Sequence, residues 1–367
     1  MKNRPPATGR RARLLDALAK KPVDRSPVIC TGGVLTALTA EVVAQTGYRL
    51  PQAHLSAEDM AGLAIAAARI SGFESVGVPL CATLEADAFG VPIELGDAEA
   101  EARIIREPYE HSRDVPRRPV DELLKTGRVP VAIEAVRHLA RDAGDLPVIA
   151  NLLGPISVAA ELVKPTILLK ELRSEPDEAN ALLEHTGDFL AALGLAYIDA
   201  GADVITICED TATPALIGPK RFADVALPHL NRLIDRLQAA GVPVVVHLCG
   251  QLDRAEESIA RLRSAGFIPD ASVSIAKLGK KHPHLALVGN VSTFLLHMGE
   301  ARAVGKVTQR IVGYGARAIC PSCSMASATP LANIRAMTQA VIDGVPADIE
   351  EDDETVLLTG SAATAVY

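Results

Sequence analysis

Short runs of β-branched and aliphatic residues alternate with longer amphipathic stretches along the whole chain of 367 residues. In the longer stretches apolar residues recur at helical spacing, whereas the short runs are of strand length. A strand followed by a helix, repeated many times, predicts a parallel sheet covered by helices. The eight predicted strands are residues 28–30, 75–78, 148–151, 204–207, 244–247, 271–274, 285–288 and 317–320.

Eight parallel strands fit either a closed (β/α)8 barrel or an open doubly wound sheet. No G-x-G-x-x-G sequence follows the first predicted strand, so the dinucleotide-binding form of the open sheet is not favoured. We therefore predict an α/β fold, a (β/α)8 TIM barrel with N-terminal helical additions. The predicted parts are an N-terminal helical extension at 1–24, one barrel domain at 25–346 and an acidic C-terminal tail at 347–367.

Composition excludes several classes of protein. With 49 % hydrophobic and 22 % charged residues the chain has enough apolar material for a core, and general disorder is excluded. A net charge of -8 and only 3 % aromatic residues argue against a nucleic-acid partner, which needs clustered cations and stacking rings. The uncharged apolar run at 146–160 is too short and too interrupted by proline and glycine to cross a membrane.

The six cysteines are the residues whose roles matter most. Residues 1–13 are basic but lead into an amphipathic segment instead of an apolar signal core, so we expect a cytoplasmic protein. Thiols stay reduced there, which makes the cysteines core residues, metal ligands or reactive groups, not disulfides. Cys30, Cys81 and Cys208 lie in apolar surroundings and are expected in the core.

Two predicted strands end in potential metal ligands. His247 and Cys249 lie at the end of the fifth predicted strand, and Cys320 and Cys323 lie at the end of the eighth. Side chains two apart on extended backbone point to the same side, so His247 and Cys249 can face one ion. With Cys323 they would form a three-ligand zinc site with an open position, while buried structural cysteines are the alternative. Cys320 either completes a closed site or belongs to the core.

Polar residues end other predicted strands. Either Glu209 or Asp210 could act as an acid or base, or Asp210 or Thr211 could instead supply a helix N-cap. Asn151 and Asn290 could bind a substrate headgroup or cap the next helix. We take Glu209, Asn151 and Asn290 as candidate substrate-binding residues.

Longer motifs carry a family resemblance. The segments DRSPVICTGGVLTALTAEV from Asp24, GFESVGVPLCATLEADAFG from Gly72, VVVHLCG from Val244 and CPSCSMASATPLANIRAM from Cys320 resemble the cobamide-dependent methyltransferase branch of the uroporphyrinogen decarboxylase superfamily. The resemblance covers about residues 14–344 and implies a (β/α)8 barrel. It also implies that His247, Cys249 and Cys323 hold zinc. Glu85, in the second segment, is a further candidate substrate-binding residue.

The resemblance implies an activity. A methyl group would pass from a methylated corrinoid to the thiolate of a small thiol, giving a thioether and Co(I). No D-x-H-x-x-G corrinoid signature occurs in the chain, so the methylcobamide would be carried by a separate protein and not held permanently. Coenzyme M is the implied acceptor, with another small thiol as the alternative, because Ser274 stands where relatives commonly carry an acidic residue.

A uroporphyrinogen decarboxylase-like activity on tetrapyrroles is the alternative function. The decarboxylases carry an arginine-containing motif after the Pro-Val of the first strand, which holds substrate carboxylates. Here residues 30–35 read CTGGVL, with no arginine. The resemblance therefore favours methyl transfer over decarboxylation.

Overall fold

The computed structural model describes residues 9–345. The predicted acidic tail at 347–367 lies outside the described residues, as do the first eight residues of the predicted extension at 1–24, so the division into three parts stays a prediction. The strands are β1 (Val76–Val78), β2 (Ile93–Glu94), β3 (Arg103–Ile104), β4 (Val148–Leu153), β5 (Val204–Glu209), β6 (Val244–Leu248) and β7 (Gly266–Pro269).

Five strands form the central parallel sheet in the order β1-β4-β5-β6-β7. Parallel bridges continue it from β7 to Leu287, from Val288 to Ala318 and from Ile319 to Val28. Val28 in turn accepts a hydrogen bond from the main-chain nitrogen of Glu74, just before β1. Seven of the eight predicted strand segments, with Gly266–Pro269 in place of the sixth, are thus connected in the cyclic order of a (β/α)8 barrel.

Helices follow the strands and cover the sheet. Several begin with proline, whose fixed φ suits the first turn. The helices are α1 (Arg10–Leu18), α2 (Ala40–Ala44), α3 (Ala57–Ser71), α4 (Leu84–Ala88), α5 (Val120–Leu123), α6 (Val129–Asp142), α7 (Pro155–Leu162), α8 (Pro165–Ser174), α9 (Pro176–Ala200), α10 (Pro214–Ile217), α11 (Pro219–Arg221), α12 (Leu227–Gln238), α13 (Glu256–Ile259), α14 (Ile275–Lys281), α15 (Thr293–Met298), α16 (Ala301–Gly313) and α17 (Leu331–Asp343).

The central strands β4, β5 and β6 are buried along their whole length. Their β-branched and aliphatic side chains suit a parallel strand that is covered on both faces. These strands contain Asn151, Glu209 and His247, whose side chains are buried. No helix within residues 9–345 is long and apolar enough to cross a membrane.

The sixth predicted strand is wrong in position. The strand is β7 at Gly266–Pro269, and residues 271–274 form a turn that leads into α14. The turn is held by Asp270, whose Oδ1 accepts from the main-chain nitrogen of Ser272 and whose carbonyl accepts from that of Val273. Glycine and proline at the two ends of β7 obscure it, because both residues are uncommon in strands.

The C-terminal ends of the barrel strands carry the long connections. The longest runs from β1 to α6 and contains α4, the antiparallel hairpin of β2 and β3, and α5. Residues 85–125 make up most of this connection. It contributes Cys81, Glu85 and Glu107 to the end of the barrel where active sites of this fold lie.

Candidate metal centre

His247, Cys249 and Cys323 converge at the C-terminal end of the barrel. The Nε2 atom of His247 lies 3.1 Å from the Sγ of Cys249, which lies 3.3 Å from the Sγ of Cys323. Their potential ligand atoms all fall within 4.8 Å of one another. His247 is fully buried, while both cysteines are partly accessible. Strands distant in the sequence thus bring one imidazole and two thiols to a single point.

The neighbouring strand sets the orientation of the imidazole. The Nδ1 of His247 lies 3.1 Å from the carbonyl oxygen of Ile268 in β7. A carbonyl oxygen only accepts, so Nδ1 carries the hydrogen and the Nε2 lone pair faces the sulfurs. This is the tautomer that a metal ligand needs, with its other nitrogen fixed by the protein.

The two sulfurs are not equivalent. The thiol of Cys249 donates a hydrogen bond that lowers the pKa of Cys323, and His247 lowers that pKa further. The same contact with Cys323 raises the pKa of Cys249, and burial adds to the effect. The surroundings therefore favour ionisation of Cys323 beside the imidazole, and soft donors of this kind suit zinc.

Asp270 is a residue near the cluster that the sequence reasoning missed. It follows β7 directly, and its Oδ2 accepts from the main-chain nitrogen of Gly250, which comes just after Cys249. The carboxylate thereby connects the loop after β6 to the loop after β7. Correct placement of the sixth strand would have revealed it, because the strand end is where polar residues of the site gather.

Two of the candidate substrate-binding residues donate to groups around the cluster. The Nδ2 of Asn151 lies 3.2 Å from the Sγ of Cys208, and the Nδ2 of Asn290 donates to the carbonyl oxygens of Asp270 and Val273. Both side chains are almost fully buried. They hold neighbouring strand ends in place, and their contact with a substrate stays a prediction.

The other two candidate substrate-binding residues, Glu209 and Glu85, have buried carboxyl groups. Glu209 accepts from the main-chain nitrogens of Ile156 and Ala212, and Glu85 accepts from that of Leu153. Burial raises the pKa of each carboxyl group to about 7. Both carboxyl groups therefore connect loops at the barrel mouth, and their binding of a substrate is likewise still a prediction.

The remaining cysteines lie away from the three-ligand cluster. Cys30, Cys208 and Cys320 are part of the apolar core, and Cys320 is not among the ligand atoms that converge on His247. Cys81 is buried too, but Arg128 donates to its Sγ at 3.2 Å. Burial raises the pKa of Cys81, yet contacts with His54 and Arg128 outweigh it and lower that pKa to about 6.

Comparisons with known proteins show which family the chain resembles over most of its length. The profile of the uroporphyrinogen decarboxylase (URO-D) family matches residues 10–343. The methylcobamide:CoM methyltransferase MtbA of Methanosarcina acetivorans is 30 % identical over 329 residues, covering 89 % of this chain and 96 % of that protein. The methylcobamide:CoM methyltransferase MtaA of Methanosarcina barkeri is 31 % identical over 336 residues, covering 90 % and 96 %.

A solved structure is similar throughout. It is a methyltransferase from Methanosarcina mazei, and the two chains are 29 % identical. The match covers 91 % of this chain and 98 % of the other chain, with a TM-score of 0.84. The resemblance predicted from the sequence motifs is confirmed. The chain belongs to the uroporphyrinogen decarboxylase (URO-D) family, and within that family it is similar to the methylcobamide:CoM methyltransferases.

Proposed function

We propose that the chain transfers a methyl group from a methylated corrinoid to the sulfur of a small thiol. The observation that carries the proposal is the convergence of His247, Cys249 and Cys323 at the barrel mouth. The names of the relatives support it, because they join methylcobamide to coenzyme M. Coenzyme M is accordingly the first acceptor to test.

The donor set fits a zinc ion. His247 would offer Nε2, and Cys249 and Cys323 would offer two thiolates, the ligand types that zinc prefers over those of harder metals. Three protein ligands leave a position for a further sulfur. A zinc ion bound there would supply the positive charge that keeps a coordinated thiol ionised at neutral pH.

The residues of the chain have separable tasks in this reaction. Ile268 fixes the imidazole of His247 through its carbonyl oxygen, and Asp270 fixes the loop after Cys249. The two cysteine sulfurs place negative charge beside the acceptor, which keeps its sulfur electron-rich and nucleophilic. Alignment of that sulfur with the methyl group is the contribution of the barrel mouth, and such positioning lowers the barrier of a bimolecular step.

The methyl donor is proposed to arrive on a separate corrinoid protein. No D-x-H-x-x-G sequence occurs in this chain, and the reacting cluster lies at the open end of the barrel, where a partner has access. The reaction is proposed for the cytoplasm, consistent with six cysteines that are all free thiols.

The test follows the methyl group. Methylcobalamin with an isotope-labelled methyl group is mixed with the protein and a panel of small thiols, and the thioether is identified by mass spectrometry. Labelled thioether is expected together with Co(I) absorbance, and chelation of the metal should abolish both. Turnover of a porphyrinogen that survives chelation, with no thioether from any thiol, would instead establish the decarboxylase alternative.

A further inference from the structure

An arginine-lined cavity lies at the end of the barrel opposite the metal centre. It has a volume of about 590 Å³ and lies at the N-terminal ends of the strands, where Glu74 precedes β1 and Asp145 precedes β4. Among residues 9–345 its charged lining side chains are those of Arg10, Arg13, Arg25, Arg69, Glu74 and Asp145. Four guanidinium groups thus face two carboxylates, and positive charge predominates in the lining.

Two of these arginines are held in fixed positions by ion pairs. Glu74 pairs with Arg13 at 2.9 Å and with Arg25 at 2.6 Å, and both guanidinium groups are largely buried. Asp24, which does not line the cavity, also pairs with Arg13. Even with Asp24 counted, four arginines outnumber three carboxylates. Because these side chains are already ordered, they lose little conformational freedom when an anion binds.

The other two arginines have donors that a ligand can reach. Arg69 projects from α3 and is exposed, and its guanidinium group has no hydrogen bond or ion pair with any residue in 9–345. The side chain of Arg10 is half exposed, and its Nη1 pairs with Asp145 at 3.2 Å. Its Nε lies 4.0 Å from Glu74. Charged N–H groups at the cavity opening therefore remain free to bind an anion.

The rest of the lining is apolar and sets the size of the ligand. The remaining lining residues in the described part of the chain are Ala68, Gly72, Phe73, Leu146 and Ile342. The volume is in the range of small-molecule sites and exceeds what a bare oxyanion fills. The cavity thus suits an anion that is attached to an organic group.

We propose that this cavity binds a small phosphate ester, with its dianionic phosphate at Arg10 and Arg69 and its organic part against Phe73 and Leu146. The planar guanidinium fork matches phosphate oxygens and binds them through paired, charge-assisted hydrogen bonds. This site is separate from the proposed methyl transfer, because it uses no residue of the metal centre and lies at the other end of the barrel.

Four compounds separate the charge of the ligand from its organic part. Adenosine 5′-monophosphate is the phosphate ester, inorganic phosphate carries the charge alone, adenosine is neutral, and succinate is a dianion without phosphate. Binding to the full chain is measured by titration calorimetry at low ionic strength. We expect the ester to bind most tightly, inorganic phosphate and succinate to bind more weakly, and adenosine to show no binding.

Two substitutions should change this affinity in opposite directions. Arg69→Gln removes a free cation and should weaken binding of adenosine 5′-monophosphate about fivefold, as expected for a solvent-accessible charge pair. Asp145→Asn removes a competing carboxylate from Arg10 and should strengthen binding by a similar factor. Arg302→Gln, at an exposed position of α16 outside the cavity lining, is the matched control and should leave the affinity unchanged.

A further variant excludes binding at the metal centre. Cys249→Ser should bind adenosine 5′-monophosphate as tightly as the wild-type chain, and loss of binding in this variant would overturn the assignment to the arginine-lined cavity. Equal affinities in Arg69→Gln, Asp145→Asn and Arg302→Gln would overturn it as well. Binding of inorganic phosphate, succinate or adenosine that is as tight as that of the ester would overturn the ligand class, as would a wild-type chain that binds no phosphate compound.

Discussion

The Nδ1 atom of His247 in β6 donates its hydrogen to the carbonyl oxygen of Ile268 in β7, 3.1 Å away. A main-chain contact between two neighbouring strands thus determines which imidazole nitrogen faces Cys249 and Cys323. The candidate metal centre is therefore oriented by the pairing of β6 with β7, which holds the imidazole in place.

Removal of any member of the cluster should release the metal. We expect one zinc ion per wild-type chain and almost none in His247→Ala, Cys249→Ser or Cys323→Ser, because two ligands hold zinc far less tightly than three. Metal analysis after dialysis measures this. Cys320→Ala is the matched control, since this buried cysteine lies outside the converging group, and loss of zinc from that variant would mean that Cys320 is a ligand.

Asp270 should affect the affinity of the site without being required for it. Asp270→Ala removes the acceptor of the Gly250 nitrogen and frees the loop that carries Cys249, so zinc affinity should fall about tenfold or more, as for other groups that orient metal ligands. Competition with a chelator of known affinity gives the value. The exposed Asp199→Ala variant serves as the control, and equal affinities in the two variants would contradict the orienting role.

Much of this arrangement follows from the sequence alone, and the exceptions have physical causes. The strands predicted at 204–207 and 244–247 lie within β5 and β6. They could be predicted because short runs of β-branched and aliphatic residues are a strong signal for buried strands. His247 and Cys249 could be predicted as neighbouring ligands because side chains two residues apart on extended backbone point to the same side. Asp270 was missed because β7 begins with glycine and ends with proline.

Long-range packing left no local signal in the sequence. Glu161 lies on α7, Glu107 on the long connection and Asp210 after β5, so only the packing of the helix and the connection on the barrel brings them together. The spacing of charged residues in the sequence contains no such information. The sequence likewise does not show that the predicted strands at 28–30 and 317–320 are joined by the single bridge between Val28 and Ile319.

Stability should depend on the ionisation of Glu85. Burial raises the pKa of this carboxyl group from 4.5 to about 7, so between these values the native state keeps a proton that the unfolded chain has released. The free energy of unfolding therefore falls as pH rises through this window, by about 2 kcal/mol between pH 5.5 and 7.5. Glu85→Gln should lack this part of the fall in urea denaturation.

The control for that measurement is an exposed carboxylate. Glu110→Gln should keep the pH dependence of the wild-type chain, because its carboxyl group lies at the surface. Identical slopes for Glu85→Gln and the wild-type chain would show that Glu85 is ionised in the native state at pH 5.5.

The barrel should depend on a buried ion-pair network at the first strand. Glu74 is 5 % exposed and pairs with Arg13 at 2.9 Å and Arg25 at 2.6 Å, and its carboxylate also accepts from the Val28 nitrogen. Glu74→Ala leaves the buried guanidinium of Arg13 without this partner, and should lower the free energy of unfolding by about 3–5 kcal/mol. Chemical denaturation measures the loss.

An exposed pair provides the comparison for this network. Glu134 pairs with Arg137 on the surface of α6, with about half of each side chain exposed. Glu134→Ala should cost less than about 1 kcal/mol. Similar losses in Glu74→Ala and Glu134→Ala would contradict the importance of burial for the network.

X-ray absorption at the zinc edge tests the central claim most directly, because it counts the atoms around the metal before and after a thiol is added. Without thiol we predict two sulfurs at about 2.3 Å and one imidazole nitrogen at about 2.0 Å. An acceptor thiol should raise the sulfur count from two to three. A coordination shell of oxygen atoms alone, or two sulfurs both before and after saturation with an accepted thiol, would contradict thiol activation at His247, Cys249 and Cys323.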